Sequence, residues 1–154
     1  MEDLLKEKLW DYVLRNNPDL MFTLQENYSV CHYLNEKVDG IQSLIADMQA
    51  EGTSSYIIEE VCLHELTEDL KPSQFNYIRS LMEQEFESAY IQFYESGILT
   101  YEVINLIESC KEVFEIIGFT TENEEDATLR NALIGQIADS LNEAIYERVQ
   151  YEKE

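Results

Sequence analysis

The spacing of apolar residues constrains the fold of this chain more than any other feature. Nearly every long segment carries apolar side chains three and four residues apart, which places them on one face of an α-helix. No segment alternates apolar and polar residues as a half-buried strand does. Because an isolated helix is marginal in water, the apolar faces must pack on one another. The pattern therefore predicts an all-α fold, a helical bundle with short connections.

Only five glycines and two prolines interrupt the 154 residues, and they divide the chain into about six helices. The predicted helices cover about residues 2–15, 23–52, 54–70, 73–97, 100–118 and 121–149. The sequence shows neither an internal repeat nor a linker. A chain of this length is typical of one domain, so we predict a single helical domain over residues 1–154.

Local signals set the predicted helix ends. Pro18 disfavours the α conformation at the residue before it, so we expect the first helix to end there and residues 16–24 to be a connector. Two residue pairs have the form of a capping box and predict the starts of the second and sixth helices: Thr23 with Glu26, and Thr121 with Glu124.

The inward faces follow from the same periodicity. In the first helix they comprise Leu5, Leu9, Tyr12 and Val13. In the third they comprise Ile58, Val61, Cys62, Leu66 and Leu70. In the last they comprise Leu129, Leu133, Ile137, Leu141, Ile145 and Val149. We expect these residues to form the core.

The chain is strongly acidic, with 32 aspartates and glutamates against 10 lysines and arginines and a formal charge of -22. Such a surface repels phosphate groups, which argues against direct binding of nucleic acid or anionic membranes and favours a basic protein partner. We find no signal-peptide pattern and no apolar run long enough to span a membrane. The expected location is the cytoplasm.

Three cysteines lie far apart within helical patterns: Cys31, Cys62 and Cys110. An odd number at wide spacing fits a reducing compartment better than a disulfide framework. Because all three lie on or beside apolar stripes, we predict three buried thiols.

One group of residues has the composition of a metal site. Glu60, His64 and Glu68 lie four residues apart, so they share a helix face and could contribute ligands to a divalent ion. Di-iron bundles place a Glu-x-x-His pair on each of two helices, and the other histidine, His32, has no glutamate three residues before it. We therefore predict no metal and no cofactor, and a solvated helix face at these positions.

The common signatures of enzymes are absent from the sequence, including phosphate-binding glycine loops, the nucleophile elbow and Cys-x-x-Cys. The closely spaced Glu83, Glu85 and Glu87 would supply acid and base groups only if one of them were buried. Glutamates on a helix are usually solvated, so the prediction is a protein that is not an enzyme.

The remaining signal is an acidic and aromatic surface that suits protein binding. The predicted interaction face comprises Glu59, Glu60, Glu65, Glu68 and Asp69, which crowd one short helix. Tyrosines beside the apolar stripes add to it, because tyrosine is enriched at interfaces: Tyr28, Tyr33, Tyr56, Tyr77, Tyr90, Tyr94, Tyr101 and Tyr146. We predict an interaction module for a basic or amphipathic protein, with a homo-oligomer left open. The alternatives are a DNA mimic that occupies a basic groove, and a metal-binding bundle or enzyme.

Several short groups of residues, in order between about Leu9 and Leu141, carry a resemblance to a known family. They are residues 9–12, 17–20, 61–66, 73–78, 85–86, Cys110 and 113–114. These groups resemble a domain-of-unknown-function family of small acidic helical proteins carried on conjugative elements of Bacteroidetes. The tyrosine-rich stretch of that family after the Val113-Phe114 pair is replaced here by residues 120–127. The resemblance implies a helical fold, a cytoplasmic setting and a mobile element, and it assigns no residue a role.

Overall fold

The computed structural model describes the backbone of residues 1–153 and the side chains of residues 1–142. Over this backbone the chain forms ten α-helices, one short 3-10 helix and no strand. The helices are α1 (Glu2–Asn16), α2 (Pro18–Glu26), α3 (Val30–Asp39), α4 (Gln42–Ala50), α5 (Ser55–Thr67), α6 (Gln74–Glu85), α7 (Glu87–Glu95), α8 (Leu99–Ser109), α9 (Lys111–Ile117) and α10 (Ala127–Lys153). The all-α prediction is confirmed, and the predicted number of about six helices is wrong.

Breaks inside three predicted helices, together with one helix that was not predicted, explain the higher number. The second predicted helix is interrupted at Gly40 and Ile41, the fourth at Phe86 and the fifth at Cys110. The predicted connector is instead α2, because Pro18 occupies its first turn, where a missing N–H removes no hydrogen bond. Apolar periodicity continues across all three breaks and does not reveal them. Only the first has a local signal in the sequence, because Gly40 inside an apolar stripe indicates a possible kink.

Neither predicted capping box caps a helix. Thr23 lies inside α2, where its Oγ1 donates to the carbonyl oxygen of Asp19 at 3.1 Å. The last helix begins at Ala127 instead of near residue 121, and the Oδ1 of Asp126 accepts a hydrogen bond from the N–H of Thr128 at 2.8 Å. An aspartate two residues before the bonded amide is a common N-cap, and it satisfies one of the unpaired N–H groups of the first turn.

The helices group into two units, Met1–Ser73 and Gln74–Glu154, each with its own hydrophobic core. The first core comprises Leu5, Leu9, Val13, Val38, Ile45, Ile58, Cys62 and Leu66. The second comprises Phe75, Ile78, Leu81, Met82, Leu99, Val103, Leu106, Cys110, Phe114, Leu129, Leu133 and Ile137. That residues 1–154 form one domain stays a prediction. No helix in the described part of the chain is long and apolar enough to cross a bilayer.

The cores account for most of the predicted inward faces. Leu5, Leu9 and Val13 of α1 are fully buried. So are Leu129, Leu133 and Ile137 of α10. Val61 is the exception, because it is exposed and lies on the outer side of α5. The predicted core positions Ile145 and Val149, and the tyrosine Tyr146, lie outside the described side chains.

The two units repeat one backbone design. The break between α1 and α2 lies at Asn17, with φ -135° and ψ 56°, and the break between α6 and α7 lies at Phe86, with φ -135° and ψ 51°. The turn after α2 passes through Tyr28 at φ 55°, and the turn after α7 through Gly97 at φ 74°. The same number of residues separates Asn17 from Phe86 and Tyr28 from Gly97. The structure therefore contains an internal repeat, although none was predicted from the sequence.

Packing follows the repeat except at the last helix of each unit, since α5 packs against α1 whereas α10 packs against α8. Helix α1 packs against α2 and α3, and α4 packs against α5; in the second unit α6 packs against α7 and α8, and α9 against α10. Leu9 and Val13 are fully buried in the first unit, and Ile78 and Met82 are fully buried at the equivalent positions of the second. What repeats is the backbone geometry of the first four helices and part of the burial, since Leu5 is fully buried whereas its equivalent Gln74 is only partly buried. The residue types at equivalent positions differ. Sequence identity therefore gives no sign of it.

Candidate functional site

The predicted interaction face lies on α5 and on the 3-10 helix Glu68–Leu70 that follows it. The helix turns Ile58, Cys62 and Leu66 into the core of the first unit. Because residues three and four apart share a face, Glu60 and Glu68 lie on the opposite, outer face, and both are exposed.

Lysines from two other helices neutralise part of the predicted face. The Nζ of Lys8 donates a hydrogen bond to Glu59. The Nζ of Lys37 donates to both carboxylate oxygens of Asp69, at 2.9 and 2.8 Å. The five residues therefore do not form a continuous row of unpaired carboxylates. The excess negative charge lies on the other three, and the interaction role of the whole set stays a prediction.

The outer face of α5 also carries apolar side chains, which the sequence analysis missed. Ile57 is 48% exposed and Val61 is 40% exposed. They are four residues apart and alternate along the helix with Glu60 and Glu68. The repeated pairs Ile57-Ile58 and Val61-Cys62 are the signal that could have revealed it, because adjacent helical residues point about 100° apart and a narrow core contact buries one of each pair. We call Ile57, Glu60, Val61, His64 and Glu68 the α5 outer face.

The candidate metal ligands are brought together only in part. The Nε2 of His64 lies 3.4 Å from Oε2 of Glu68, and both side chains are about two-thirds exposed. Within residues 1–142, no group of three or more histidine, cysteine or acidic side chains is placed to hold a metal ion. His32 is likewise exposed and lies 3.6 Å from Glu36 of its own helix.

The carboxylates near residue 86 are solvated. Glu83, Glu85 and Glu87 are all exposed, on either side of the break at Phe86. Arg130 of α10 donates from Nη2 to Oε1 of Glu85 at 2.8 Å. A carboxyl group suited to proton transfer at neutral pH is usually buried, and none of these three has that environment.

The prediction of three buried thiols is wrong for Cys31, which is exposed on α3. Cys62 and Cys110 are fully buried. Burial raises the pKa of both thiols, that of Cys110 to about 11, because an apolar surrounding disfavours the thiolate. The two buried cysteines are therefore neutral core residues at physiological pH and poor nucleophiles.

These pKa values predict a loss of stability in alkali. Burial and the charge of Asp69 raise the pKa of Tyr33 from 10.0 to about 12, and burial raises that of Cys110 from 9.0 to about 11. A group whose pKa is raised on folding contributes stability that is complete below its unfolded pKa and is lost as pH rises through the folded value. The free energy of unfolding should therefore hold near pH 7.5 and fall between about pH 9 and pH 12.

Urea denaturation followed by circular dichroism at several pH values measures this fall. The variant Tyr33→Phe lacks the phenol, so it should lose less stability than the wild-type chain over the same range. An equal loss in both proteins would contradict the role assigned to Tyr33.

The tyrosines divide into two groups. Tyr28, Tyr56, Tyr94 and Tyr101 are exposed. Tyr33, Tyr77 and Tyr90 are partly buried. The exposed group supplies aromatic surface in both units, as an interaction role requires.

The fold and this surface define an all-α protein of two repeated units with exposed acidic and apolar side chains. We compared the chain with family models, curated proteins and solved structures, and none of the three comparisons gave a match.

Proposed function

We propose that this chain is a non-enzymatic interaction module that binds a basic partner protein through the α5 outer face. One observation carries the proposal: Ile57 and Val61 are exposed on the same helix face as Glu60 and Glu68. An apolar centre bordered by charged residues is the usual anatomy of a protein interface. A helix that served only solubility would have no need of the two aliphatic side chains.

The charge of the partner follows from the charge of the chain. Residues 1–73 contain 15 acidic and 5 basic residues, and residues 74–154 contain 17 and 5. Both units therefore repel anions, and a partner with lysine or arginine around an apolar centre is the complementary surface. The resemblance to proteins of conjugative elements supports a second protein of such an element as that partner.

The first test separates a specific interface from general attraction between opposite charges. The tagged chain is used at low salt to capture proteins from its native host, and the affinity of the purified complex is then measured. The variant Ile57→Ser with Val61→Ser keeps the charge unchanged, and we expect it to weaken binding by about tenfold or more. Ile116→Ser, at an exposed position on α9, is the matched control and should bind as the wild type does.

The second test concerns the carboxylates. Two triple variants make the same change of net charge: E60Q/E65Q/E68Q on α5, and E108Q/E112Q/E115Q on α8 and α9. The first should weaken binding and reduce its dependence on salt, and the second should have a much smaller effect. Equal effects of the two triples, or no basic protein captured at low salt, would contradict the proposal.

A further inference from the structure

A second exposed apolar surface lies in the other unit, on α7 and the first turn of α8. Ile91 is 44% exposed and Tyr94 is 65% exposed, and they share the outer side of α7. The surface continues through Ile98, which precedes α8, and Tyr101 in its first turn, which are 41% and 63% exposed. We call Tyr90, Ile91, Tyr94, Ile98 and Tyr101 the α7–α8 surface.

The aromatic part of this surface is held in place. The ring of Tyr94 stacks on that of Tyr90, with centroids 6.4 Å apart and an angle of 15° between the planes. Tyr90 itself packs against the core of the second unit, and its hydroxyl oxygen accepts a hydrogen bond from Nη2 of Arg79 at 3.4 Å. A fixed aromatic ring loses little conformational entropy on binding, which is the property of an interface anchor.

The repeat shows that the fold does not require these apolar side chains. The positions of the first unit equivalent to Tyr94, Ile98 and Tyr101 hold polar residues: Gln25, Ser29 and His32. The backbone is nevertheless the same, since Ser29 has φ -114° and ψ 15° and Ile98 has φ -115° and ψ 9°. The equivalents of the other two residues of the surface, Tyr90 and Ile91, are also apolar: Met21 and Phe22. The second unit thus has three large exposed side chains at positions where the first unit forms the same backbone turn with polar residues.

The charges around the surface indicate what covers it. Glu87 and Glu95 lie at the two ends of α7, on the same side as Ile91, and Glu102 lies in the first turn of α8. No lysine or arginine in the described part of the chain forms an ion pair with these three carboxylates. A second copy of the chain would bring the same carboxylates and a charge of -22, so repulsion opposes self-association here.

We infer that the α7–α8 surface is a second docking site, and that it binds a basic amphipathic helix of a partner protein. The apolar face of such a helix covers Ile91, Tyr94 and Ile98, and its lysines or arginines meet the carboxylates at the two ends of α7. A helix suits the site because the described backbone has no strand edge to which an extended peptide could add. The inference does not depend on use of the α5 outer face, since the two surfaces lie in different units.

A synthetic helix of leucine and lysine with one apolar face is the probe for this site. We expect isothermal titration to give two bound peptides per intact wild-type chain, one on each surface. The variant Ile91→Ser with Tyr94→Ser should bind one peptide, Ile57→Ser with Val61→Ser should also bind one, and Ile116→Ser should bind two. Circular dichroism and thermal melting establish that each variant is folded.

The outcomes separate the two claims. If the Ile91 and Tyr94 variant still binds two peptides, the α7–α8 site does not exist, whatever the α5 variant does. If only the Ile57 and Val61 variant keeps both sites, the proposed use of α5 fails and the α7–α8 inference stands. A peptide of the same composition, scrambled so that it has no apolar face, should bind at least about tenfold more weakly. Equal binding of the two peptides would mean that charge attraction alone explains the binding at both sites, and it would overturn the inference.

Discussion

Replacement of Leu9 with alanine should lower the free energy of unfolding by about 3 kcal/mol. Leu9 is fully buried in the first core, where α1 packs against α3 and α5. Alanine removes most of its apolar contacts and leaves a cavity that neighbouring helices fill only in part. Leu14 of the same helix is 39% exposed, so Leu14→Ala is the control and should cost less than about 1 kcal/mol.

The repeat extends this prediction to the second unit. Ile78 occupies the position equivalent to Leu9 and is also fully buried, so Ile78→Ala should cost about 2 to 5 kcal/mol. Urea denaturation of the intact chain, followed by circular dichroism, measures all three variants. A cost for Leu9→Ala no greater than that for Leu14→Ala would contradict the described core.

Two glycines should respond to the same substitution in opposite directions. Gly118 has φ 86° and ψ 157°, a conformation that is essentially restricted to glycine, so Gly118→Ala should destabilise the chain by about 1 to 3 kcal/mol. Gly135 lies exposed inside α10, where an added Cβ meets no atom within 4 Å. Gly135→Ala should therefore stabilise the chain by about 0.5 to 1 kcal/mol.

The two substitutions differ in backbone conformation and not in steric contact, because an added Cβ at Gly118 also meets no atom within 4 Å. The side chain of Asn123 holds this turn by donating from Nδ2 to the Gly118 carbonyl oxygen at 2.8 Å. The melting temperatures of the two variants, compared with that of the wild type, test both predictions. If both variants shift the melting temperature in the same direction, the conformation assigned to Gly118 or to α10 is wrong.

Periodicity predicted which residues face inward better than it predicted where helices end. Leu5, Leu9 and Val13 were predicted for the core and are fully buried, because a fixed spacing on a helix selects one face whatever the neighbouring elements are. The break at Phe86 could not be predicted in this way, since the apolar stripe continues through it. A change in direction there depends on how α6 and α7 pack on α8, which is a tertiary effect.

The sequence predicted the acidic residues of the candidate site but not its exposed apolar residues. The crowding of glutamates on residues 59–69 is visible in the sequence. Pairing of Glu59 with Lys8 and of Asp69 with Lys37 is not visible, because it depends on contacts between residues far apart in the chain. The exposure of Val61 depends on which side of α5 meets the rest of the first unit. Of the α7–α8 surface, the sequence indicated only its tyrosines. The comparison with the first unit, which has polar residues at three equivalent positions, distinguishes it as a surface.

Methyl NMR of the intact chain, labelled at isoleucine and titrated with the leucine and lysine helix, tests the central claim most directly. Ile57, Ile91 and Ile116 are all exposed and report from the α5 outer face, the α7–α8 surface and α9 in one sample. We expect the methyl signals of Ile57 and Ile91 to shift on addition of the peptide, while those of Ile116 stay in place. Shifts at Ile116 as large as those at Ile57, or no shift at any of the three, would contradict the claim.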